Sequence, residues 1–364
     1  MNKHMKMQRK KGVMRMAKQI DVWLQLAFQA RASDVHLTVT LPPVFRIDGQ
    51  LKRQGNQPLT PMQTEMLAKE MVTEENWNIF LKEKELDFAY EIEGMSRFRG
   101  NIFRQRGNVA LAIRLIPKEI PSIEQLHLPP VLKEMVAKPQ GLVLVTGPTG
   151  SGKSTTLAAM IDYLNKTTSK HIITLEDPIE YVHEHQECII DQREVGQDTK
   201  AFANGLRASL RQDPDVILVG ELRDLETIRT AITAAETGHL VLSTLHTKSA
   251  ASTIDRIIDV FPPEQQAQIR IQLASVLVGV VSQRLFPYAT KQGRIAATEI
   301  LINIPAIANL IRSQKVHQIV NVLQTNKAQG MHTLEMNMKE LSMRGKIKAQ
   351  DVSAYQEALN DGAV

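Results

Sequence analysis

The chain has 364 residues, of which 43% are hydrophobic, 4% aromatic and 23% charged, and its formal net charge is +5. This length allows two or three domains, and the apolar fraction is large enough for packed cores. A single cysteine, Cys188, excludes a disulfide framework and a cysteine-rich zinc site and is typical of a reducing compartment. The longest apolar run, Leu273 to Val281, is shorter than the roughly 20 residues of a membrane-spanning helix.

The positive charge is concentrated at the amino end. Seven of the 44 Lys and Arg residues and no acid lie within residues 1–18, so the remaining residues hold 37 basic and 39 acidic side chains, a balance of −2. We interpret residues 1–18 as a solvated basic tail without the apolar segment of a signal peptide. Contact of this tail with anionic lipid or nucleic acid is the alternative. The few aromatic residues and the uncharged balance of the body argue against nucleic acid as a partner of the rest of the chain.

Two periodicities in residues 19–117 predict a small α+β domain. Apolar residues at helical spacing predict one helix over residues 20–28 and a second over Thr64 to Leu81. Apolar residues then recur at every second position in residues 86–92 and again in residues 109–115, which predicts strands. Helices and strands in this mixture form a domain with its own core.

A linker and a larger domain follow. Four prolines between residues 117 and 130 predict a linker over residues 118–130. Residues 131–364 alternate short apolar strands with helices, which predicts an α/β domain with a doubly wound parallel sheet. The predicted strands cover residues 142–145, 172–175, 216–219 and 240–244. The predicted helices cover residues 155–165, 199–211, 222–237, 249–260, 264–282, 305–312 and 316–323, and everything after residue 260 is predicted to be helical.

A phosphate-binding loop lies between the first of these strands and the first helix. Its residues match the pattern G-x-x-x-x-G-K-[ST] at every fixed position: Gly147, Pro148, Thr149, Gly150, Ser151, Gly152, Lys153 and Ser154, followed by Thr155. The loop N–H groups and the helix N-terminus bind phosphate in such a setting, and Lys153 reaches the β- and γ-phosphates. The Ser154 hydroxyl is a ligand for Mg²⁺. The sequence therefore predicts a site for ATP and Mg²⁺.

Acidic residues follow two of the other predicted strands. Glu221 ends the strand Val216–Val219 and is predicted to bind Mg²⁺ with Ser154; the alternative is an acid that stabilises the N-terminus of the next helix. Glu176, Asp177 and Glu180 follow the strand Ile172–Leu175. We predict that Glu180 activates water, and that Glu176 and Asp177 support the magnesium and the loop. The alternative for these three is a solvated acidic turn.

Two histidines flank the predicted strand 240–244. The seven-residue separation of His239 and His246 is not a zinc-ligand spacing, so we reject a metal site. His246 is predicted to sense the γ-phosphate and His239 to contribute to nucleotide binding, with structural roles as the alternative.

Arginines form two groups that could neutralise the charge of a phosphoryl-transfer transition state. Arg207 and Arg211 lie four residues apart on one predicted helix face and are predicted to be catalytic. The first domain carries a second group, which is predicted to reach the nucleotide of a neighbouring subunit and consists of Arg97, Arg99, Arg104 and Arg106. A solvated strand face is the alternative for the second group.

Four motifs, in this order and spacing, resemble the secretion ATPases of the type II/type IV pilus superfamily. They are GPTGSGKS at residues 147–154, LEDPIE at 175–180, VGELRD at 219–224 and GHLVLSTLHT at 238–247. In the first domain, residues 32–37, 46–49 and 97–99 resemble the PAS-like N-terminal domain of that superfamily. The resemblance covers nearly the whole chain from about residue 20 and implies a RecA-like P-loop NTPase domain preceded by a small PAS-like domain.

Two features resemble the retraction motors within this superfamily. The chain lacks the four-cysteine zinc module of assembly and secretion ATPases, and residues 306–312 are similar to the retraction motors' A-I-R-N-L-I-R motif. Ala308 stands in place of the motif's arginine, and Ser313 in place of the acid that usually follows it. The resemblance thus implies an ATPase that powers pilus retraction; a pilus or competence-pseudopilus assembly ATPase is the first alternative. A regulatory nucleotide-binding partner, a nucleic-acid motor and a small-molecule kinase are further alternatives.

The resemblance also implies an assembly and a location. Members of the superfamily form a homo-hexamer that holds nucleotide between the RecA-like domain of one subunit and the PAS-like domain of the next. The ring is cytoplasmic, at the inner face of the cytoplasmic membrane, and associates peripherally with that membrane through an inner-membrane platform protein. It acts on pilin indirectly.

Overall fold

Residues 18–47, 49–116 and 119–360 are described by the computed structural model of the chain. The predicted basic tail, apart from Lys18, lies outside the described residues. The chain divides into two units, Met1–Lys118 and Glu119–Val364. Within the predicted linker over residues 118–130, Ile123 and Leu128 are buried in the core of the second unit. No helix among the described residues is long and apolar enough to cross a membrane.

The first unit is built on a six-stranded antiparallel sheet with the strand order β3-β2-β1-β6-β5-β4. Its elements are α1 (Gln19–Gln29), β1 (Asp34–Leu37), β2 (Val44–Ile47), β3 (Gln50–Arg53), α2 (Pro61–Met71), α3 (Glu74–Glu83), β4 (Glu85–Ile92), β5 (Ser96–Gln105) and β6 (Asn108–Leu115). Phe45, Phe80 and Phe98 are fully buried at the centre of this unit's core. The predicted mixture of helices and strands is therefore confirmed.

The helix predicted over Thr64 to Leu81 is in fact two helices. Val72 has an extended backbone (ψ 160°) that ends α2. The hydroxyl of Thr73 accepts a hydrogen bond from Asn76 N at 3.2 Å and so caps the start of α3. The single-helix prediction was wrong because the apolar spacing continues across this break while a threonine cap starts a new helix.

The second unit contains a seven-stranded sheet with the order β13-β12-β7-β11-β10-β8-β9, in which all neighbours are parallel except β12 and β13. Its strands are β7 (Gly141–Thr146), β8 (His171–Glu176), β9 (Ile189–Glu194), β10 (Val216–Val219), β11 (Leu240–Leu245), β12 (Leu277–Pro287) and β13 (Arg294–Ile302). Its helices are α4 (Val131–Val136), α5 (Lys153–Thr167), α6 (Phe202–Ser209), α7 (Leu225–Glu236), α8 (Ala250–Asp259), α9 (Pro263–Val276), α10 (Pro305–Arg312), α11 (Ile319–Thr325), α12 (Leu334–Met343) and α13 (Ala349–Asn360).

Helices cover both faces of this sheet. Along β7, Leu142 and Leu144 belong to the core on one face, and Val143 and Val145 to the core on the other. All six residues of β7 are buried, which is the pattern of a strand inside a doubly wound sheet. The predicted α/β class is confirmed.

The carboxyl-terminal part of the unit differs from the prediction. The helix predicted over residues 264–282 ends at Val276, and Leu277–Pro287 is a strand beside β7. The stretch after residue 260 also contains β13, which the sequence did not predict. The apolar run Leu273 to Val281 crosses from helix to strand, and a strand covered on both faces has no alternation to distinguish it from a buried helix.

Candidate active site

The phosphate loop follows the carboxyl end of β7 and leads into α5. Gly152 precedes this helix with a φ of 89°, a conformation that favours glycine. At Gly147 (φ 140°), a Cβ atom would lie 2.3 Å from the carbonyl oxygen of Gln283 and 2.7 Å from Ser151 Oγ, so only glycine fits. Ser151 Oγ is buried and has no hydrogen-bond partner among the described residues. The loop therefore presents an unused hydroxyl together with its backbone N–H groups, as a phosphate site requires.

Lys153 lies over this loop. Its ammonium group donates hydrogen bonds to the carbonyl oxygens of Gly147 (2.9 Å) and Pro148 (3.2 Å). Burial lowers the pKa of Lys153, while the charges of Glu221 and Glu180 raise it. Both predicted acids are thus close enough to act on the Lys153 charge, although they follow two different strands. The fold brings together the three residues that the sequence predicted for one site.

Glu221 is held by an arginine and a histidine. Arg223 Nη2 lies 2.8 Å from Glu221 Oε2, and His246 Nε2 lies 3.4 Å from Glu221 Oε1. Partial burial raises the pKa of Glu221, but the hydrogen bond from Arg223 and the nearby charges of His246 and Arg223 outweigh it and lower the pKa. Glu221 is therefore an ionised carboxylate next to the phosphate loop. Arg223 was missed by the sequence analysis, although it lies two residues after Glu221.

His246 connects Glu221 to the phosphate loop. Its other ring nitrogen, Nδ1, lies 3.5 Å from the hydroxyl of Thr149, in the loop itself. The imidazole is partly exposed and so remains accessible to a ligand in the loop. His246 therefore lies beside both the phosphate loop and the predicted magnesium ligand Glu221.

The three carboxylates of the acidic segment after β8 lie in different environments. Glu176 accepts hydrogen bonds from Thr174 Oγ1 (2.7 Å) and Gln192 Nε2 (3.1 Å), and burial raises its pKa. Its second oxygen accepts the backbone N–H of Glu180 at 3.4 Å. Asp177 is exposed, precedes a cis proline and interacts electrostatically with Arg223. The side chain of Glu180 is exposed beside Lys153, so Glu180 has the free carboxylate and Glu176 holds the loop.

Tyr181 ties the segment that carries Glu180 to the first turn of α5. Its hydroxyl lies 3.0 Å from Thr155 Oγ1, and its carbonyl accepts a hydrogen bond from Gln192 Nε2 at 2.8 Å. The predicted residue Thr155 thus supports the loop of Glu180 through its side chain. Tyr181 has no motif that would identify it from the sequence.

The same segment contains a buried histidine that makes stability depend on pH. Desolvation lowers the pKa of His183 from 6.5 to about 4, against the charge of Asp162, and Nδ1 has no hydrogen-bond partner among the described residues. The unfolded chain binds the proton more tightly, so stability is lost as the pH falls from about 6.5 towards 4. At pH 5 we expect a loss of about 2 kcal/mol from this group.

This prediction is tested by comparing the melting temperature at pH 7 and pH 5 in wild type and in His183→Gln. Glutamine cannot take up the proton, so the variant should lose less stability on acidification. An equal pH dependence in both proteins would show that His183 does not cause the effect.

Gln283, on β12, fixes the phosphate loop from the side. Its amide nitrogen donates to Ser151 O at 2.7 Å, and its amide oxygen accepts from Thr156 Oγ1 at 2.9 Å. Gln283 is almost completely buried, so both bonds are made away from solvent. The sequence analysis missed it because residues 277–287 were predicted to be partly helical.

The donors near the loop fit a magnesium ion that arrives with nucleotide. Ser154 begins the first turn of α5, and the ionised carboxylate of Glu221 is a hard oxygen ligand. Among the described residues there is no cluster of three or more His, Cys, Asp or Glu side chains that could hold a metal ion alone. Magnesium in nucleotide sites is bound by one or two protein oxygens together with phosphates and water. A cleft of about 450 Å³ also adjoins the loop, lined by Arg284, Phe286 and Tyr355 among others.

His239 lies away from this site. It precedes β11, and its carbonyl accepts a hydrogen bond from Gly141 N (3.0 Å), at the amino end of β7. The phosphate loop follows the opposite end of β7, after Thr146. His239 Nδ1 lies 3.0 Å from Ala234 O, at the end of α7. We therefore correct its assignment: in this unit His239 is a structural residue at the other edge of the sheet.

Arg207 and Arg211 are also not brought to the loop. Arg207 forms an ion pair with Glu226 between α6 and α7. Arg211 is exposed in the turn that leads to the amino end of β10, again the edge opposite the phosphate loop. The helix predicted over residues 199–211 ends at Ser209, so Arg211 lies beyond it in the turn and the two arginines do not share a helix face. The prediction that they are catalytic receives no support from this arrangement.

The four arginines of the first unit that were predicted to reach a neighbouring nucleotide have three different environments. Arg97 and Arg99 lie on the outer face of β5, opposite the buried Phe98. Arg104 instead lies 5.7 Å from the ring centre of Phe80 and donates to Gly107 O at 2.8 Å. Arg106 lies in the turn between β5 and β6 with a φ of 50°. Arg97 and Arg99 thus share a surface, and Arg104 is used in local packing.

The outer face around Arg99 carries a row of charges across neighbouring strands. Arg99 pairs with Arg114 on β6, which pairs with Asp34 on β1, which pairs with Arg46 on β2. The Asp34 carboxylate accepts a hydrogen bond from Arg114 Nε at 3.0 Å and forms an ion pair with Arg46 Nε at 3.7 Å. Directly opposed like charges such as Arg99 and Arg114 destabilise a sheet unless an anion lies nearby. The row has an excess of positive charge.

Comparison with known proteins identifies the family. The family model described as "Type II/IV secretion system protein" matches residues 9–359. The chain is 50% identical over 334 residues to the type IV pilus retraction ATPase PilT of Pseudomonas aeruginosa, covering 91% of this chain and 97% of that protein. It is 46% identical over 305 residues to a twitching motility protein of Neisseria gonorrhoeae, covering 84% of this chain and 82% of that protein.

A solved structure is similar throughout. The crystal structure of the pilus retraction motor PilT with bound ADP matches with a TM-score of 0.86 and 49% identity, covering 92% of this chain and 96% of that one. The phosphate loop and the acids around Lys153 thus occur in a fold that is known to hold ADP in a relative. The chain belongs to the type II/IV secretion system protein family.

Proposed function

We propose that this chain is an ATP-hydrolysing motor that powers type IV pilus retraction. The observation that carries the proposal is the convergence of Lys153, Glu221, Glu180 and His246 on one phosphate loop, in a chain half identical to a PilT retraction ATPase. A protein that only bound nucleotide would not need a free carboxylate beside the phosphate lysine. Retention of that carboxylate supports hydrolysis.

Each of these side chains has a distinct task. The loop N–H groups and Lys153 bind the phosphates, and Lys153 exchanges its loop carbonyls for phosphate oxygens. Ser154 and Glu221 would hold Mg²⁺, which neutralises charge on the β- and γ-phosphates when bound. Glu180 accepts the proton of the attacking water, because its carboxylate is exposed and otherwise uncommitted. His246 donates to the γ-phosphate from its position between Thr149 and Glu221.

The active assembly is a homo-hexamer in which a neighbour completes the site. Arg99 lies opposite Arg114 in a row with an excess of positive charge, which favours an anion there, whereas Arg97 lies opposite the acidic Glu91. A phosphate held by the next subunit is such an anion, and an arginine from a neighbour is a common source of transition-state charge in ATPases. Of the four predicted arginines, Arg99 is therefore the best supplier, and Arg97 lies two residues away on the same strand face. Arg106 remains a second candidate, and Arg104 is already engaged with Phe80.

The ring works in the cytoplasm at the inner face of the cytoplasmic membrane. There it docks on an inner-membrane platform protein and moves pilin indirectly. Support comes from the relatives, a pilus retraction ATPase and a twitching motility protein. Cys188, the single cysteine, is compatible with a reducing compartment.

In α10, buried and exposed residues can be changed separately, so a role in folding can be tested apart from a role in retraction. Ile307, Ala308 and Ile311 are buried in the main core and Leu310 packs against it, while Asn309 and Arg312 are exposed. Ile311→Ala should cost about 2–5 kcal/mol of stability, because it leaves a cavity. Replacing Asn309 and Arg312 together by alanine should change stability by no more than about 0.5 kcal/mol and leave ATPase activity intact, yet stop twitching.

Thermal melting, phosphate release and a twitching assay measure these three effects on the same variants. Normal twitching in the double variant would make α10 a structural element and would remove a main reason to prefer retraction over assembly.

The proposed direction is tested by deleting the gene and counting pili. Loss of a retraction motor should leave more pili than in the parent strain, and complementation with the wild-type chain should restore the parental number. Complementation with Lys153→Ala should not restore it. Cells without pili would instead identify a pilus or pseudopilus assembly ATPase.

A further inference from the structure

The segment that follows His246 is anchored at the start of α8. Thr247 Oγ1 lies 2.7 Å from Thr253 Oγ1, inside the first turn of α8. Thr253 Oγ1 donates to Ser249 O at 2.7 Å and lies 3.5 Å from Thr146 Oγ1, and Thr146 is the residue directly before the phosphate loop. Four residues after His246, the N–H of Ala250 donates to Glu299 Oε1 at 2.8 Å. The position of the sensor histidine therefore depends on contacts that lie outside the phosphate site.

Glu299 lies on β13 and also binds a second helix. Leu334, the first residue of α12, lines the same cavity as Glu299, and its backbone N–H lowers the pKa of the Glu299 carboxyl. Burial raises the pKa of Glu299, and the hydrogen bonds from Ala250 and Leu334 oppose that rise. One desolvated carboxyl group thus joins the amino ends of two helices. Each of these ends carries unsatisfied N–H groups, which attract an acidic side chain.

The neighbours of Glu299 on β13 attach α12 as well. Thr298 N donates to Asn337 Oδ1 at 2.9 Å, and Ile300 N donates to His332 O at 2.9 Å. Three consecutive residues of β13 therefore contact the start of α12. A displacement of α12 against β13 would disturb Glu299, since the residues on both sides of it hold the same helix.

The starts of α8 and α12 are not packed solidly against each other. A cavity of about 550 Å³ is lined by residues of both, including Ser249 and Leu334, together with Glu299, Arg284 and Tyr355. Where two helices are closely packed, a displacement of one is transmitted to the other through many atoms. Where a cavity separates them, the displacement is transmitted by the contacts that bridge the cavity. The Glu299 carboxylate is such a bridge.

We propose that Glu299 is a positioning residue that couples the C-terminal helices to His246. By holding the amino ends of α8 and α12, it keeps His246 aligned with Thr149 and Glu221 only while α12 is docked on β13. The inference rests on the role of His246 as the γ-phosphate sensor proposed above. It supplies a physical connection between nucleotide state and the helices after β13.

The test measures how well the full-length protein distinguishes a triphosphate from a diphosphate. The affinities for the non-hydrolysable analogue AMP-PNP and for ADP are determined with Mg²⁺, and their ratio is compared among variants. Glu299→Gln keeps one acceptor oxygen and the side-chain volume, and Glu299→Ala removes both acceptors. The ratio should fall in Glu299→Gln and fall further in Glu299→Ala, to about one tenth of wild type, while the ADP affinity stays within twofold.

A double-mutant cycle shows whether Glu299 acts through His246. In a His246→Ala background, Glu299→Ala should produce no further fall in the ratio. The control is Ile232→Ala, which removes a buried side chain of α7 from the main core and changes no residue of β13, α8 or α12. It should lower the melting temperature and leave the ratio unchanged.

Three results would overturn the proposal. A lower melting temperature with an unchanged ratio would make Glu299 a helix cap only. Additive effects of Glu299→Ala and His246→Ala would show that Glu299 does not act through His246. An unchanged ratio in His246→Ala would show that His246 is not the γ-phosphate sensor, and the proposed coupling through Glu299 would then be wrong as well. If that variant still binds both nucleotides, the assignment of the ATP site is not affected.

Discussion

We expect Lys153→Ala to lower the rate of ATP hydrolysis at least about 100-fold, because it removes the cation that the loop supplies to the phosphates. In the structure the ammonium group is held by Gly147 O and Pro148 O at 2.9 and 3.2 Å, so it is already placed at the phosphate position. Burial lowers its pKa, which indicates that this charge is kept in an environment with little solvent. The variant should still fold, because one of the two lost hydrogen bonds is made to the carbonyl of Pro148, an exposed residue of the loop.

Phosphate release measures the rate, and thermal melting with and without nucleotide measures binding. Wild type should be stabilised by ADP in proportion to its affinity, and Lys153→Ala should lose most of that stabilisation. Lys166→Ala is the control for loss of a lysine from the same helix: it should keep the wild-type hydrolysis rate, and it should lower the melting temperature because Lys166 is the ion-pair partner of the buried Asp162 (2.7 Å). Near-normal turnover in Lys153→Ala would mean that the phosphates bind elsewhere.

The parts of the site that the sequence predicted are those whose residues are contiguous. The phosphate loop needs eight neighbouring residues and a strand before it, so a single pattern identifies Lys153 and Ser154. Glu221 and Glu180 follow apolar strands, and the carboxyl ends of parallel strands meet at one edge of a sheet. The structure accordingly brings both acids to Lys153.

The residues that the sequence missed are joined to the site only by the fold. Gln283 reaches the phosphate loop because β12 lies beside β7, across 130 residues of chain, and the sequence predicted a helix there. Tyr181 and Arg223 lie next to predicted residues, but nothing in their spacing indicates which partner they bind. Glu299 lies on a strand that was not predicted at all.

The errors have a related cause. The spacing of residues in the sequence predicts that they share one face of a helix or strand. It does not predict which edge of the sheet, or which layer of the domain, that face meets. His239 and His246 flank one strand, so one of them must lie at the far edge of the sheet. Arg207 lies near the carboxyl end of α6, and Arg211 lies in the turn that leads from this helix back to that same far edge. In a parallel sheet the distinction between the two edges decides function, since ligands bind at the carboxyl ends of the strands.

The second large effect is expected for Glu180→Gln, which should bind ATP normally and hydrolyse it about 10²–10⁴-fold more slowly. Glutamine keeps the size of the side chain and cannot take the proton of the attacking water. The structure favours Glu180 over its neighbours as this base: Glu176 is committed to Thr174 and Gln192 in a desolvated position, whereas Glu180 is exposed beside Lys153. ATP affinity should stay within about twofold, because the phosphates are bound by the loop and by Lys153.

Glu184→Gln serves as the control, since it changes an exposed carboxylate of the same segment that is not expected to reach the phosphates. It should hydrolyse ATP at the wild-type rate. A Glu180→Gln variant with wild-type turnover would exclude Glu180 as the base and would leave Asp177 as the remaining candidate of the segment. Glu176 is not a candidate for this role, because its carboxylate accepts hydrogen bonds from Thr174, Gln192 and the backbone of Glu180. Glu176→Gln should therefore weaken the hydrogen bonds that hold the segment and lower the melting temperature.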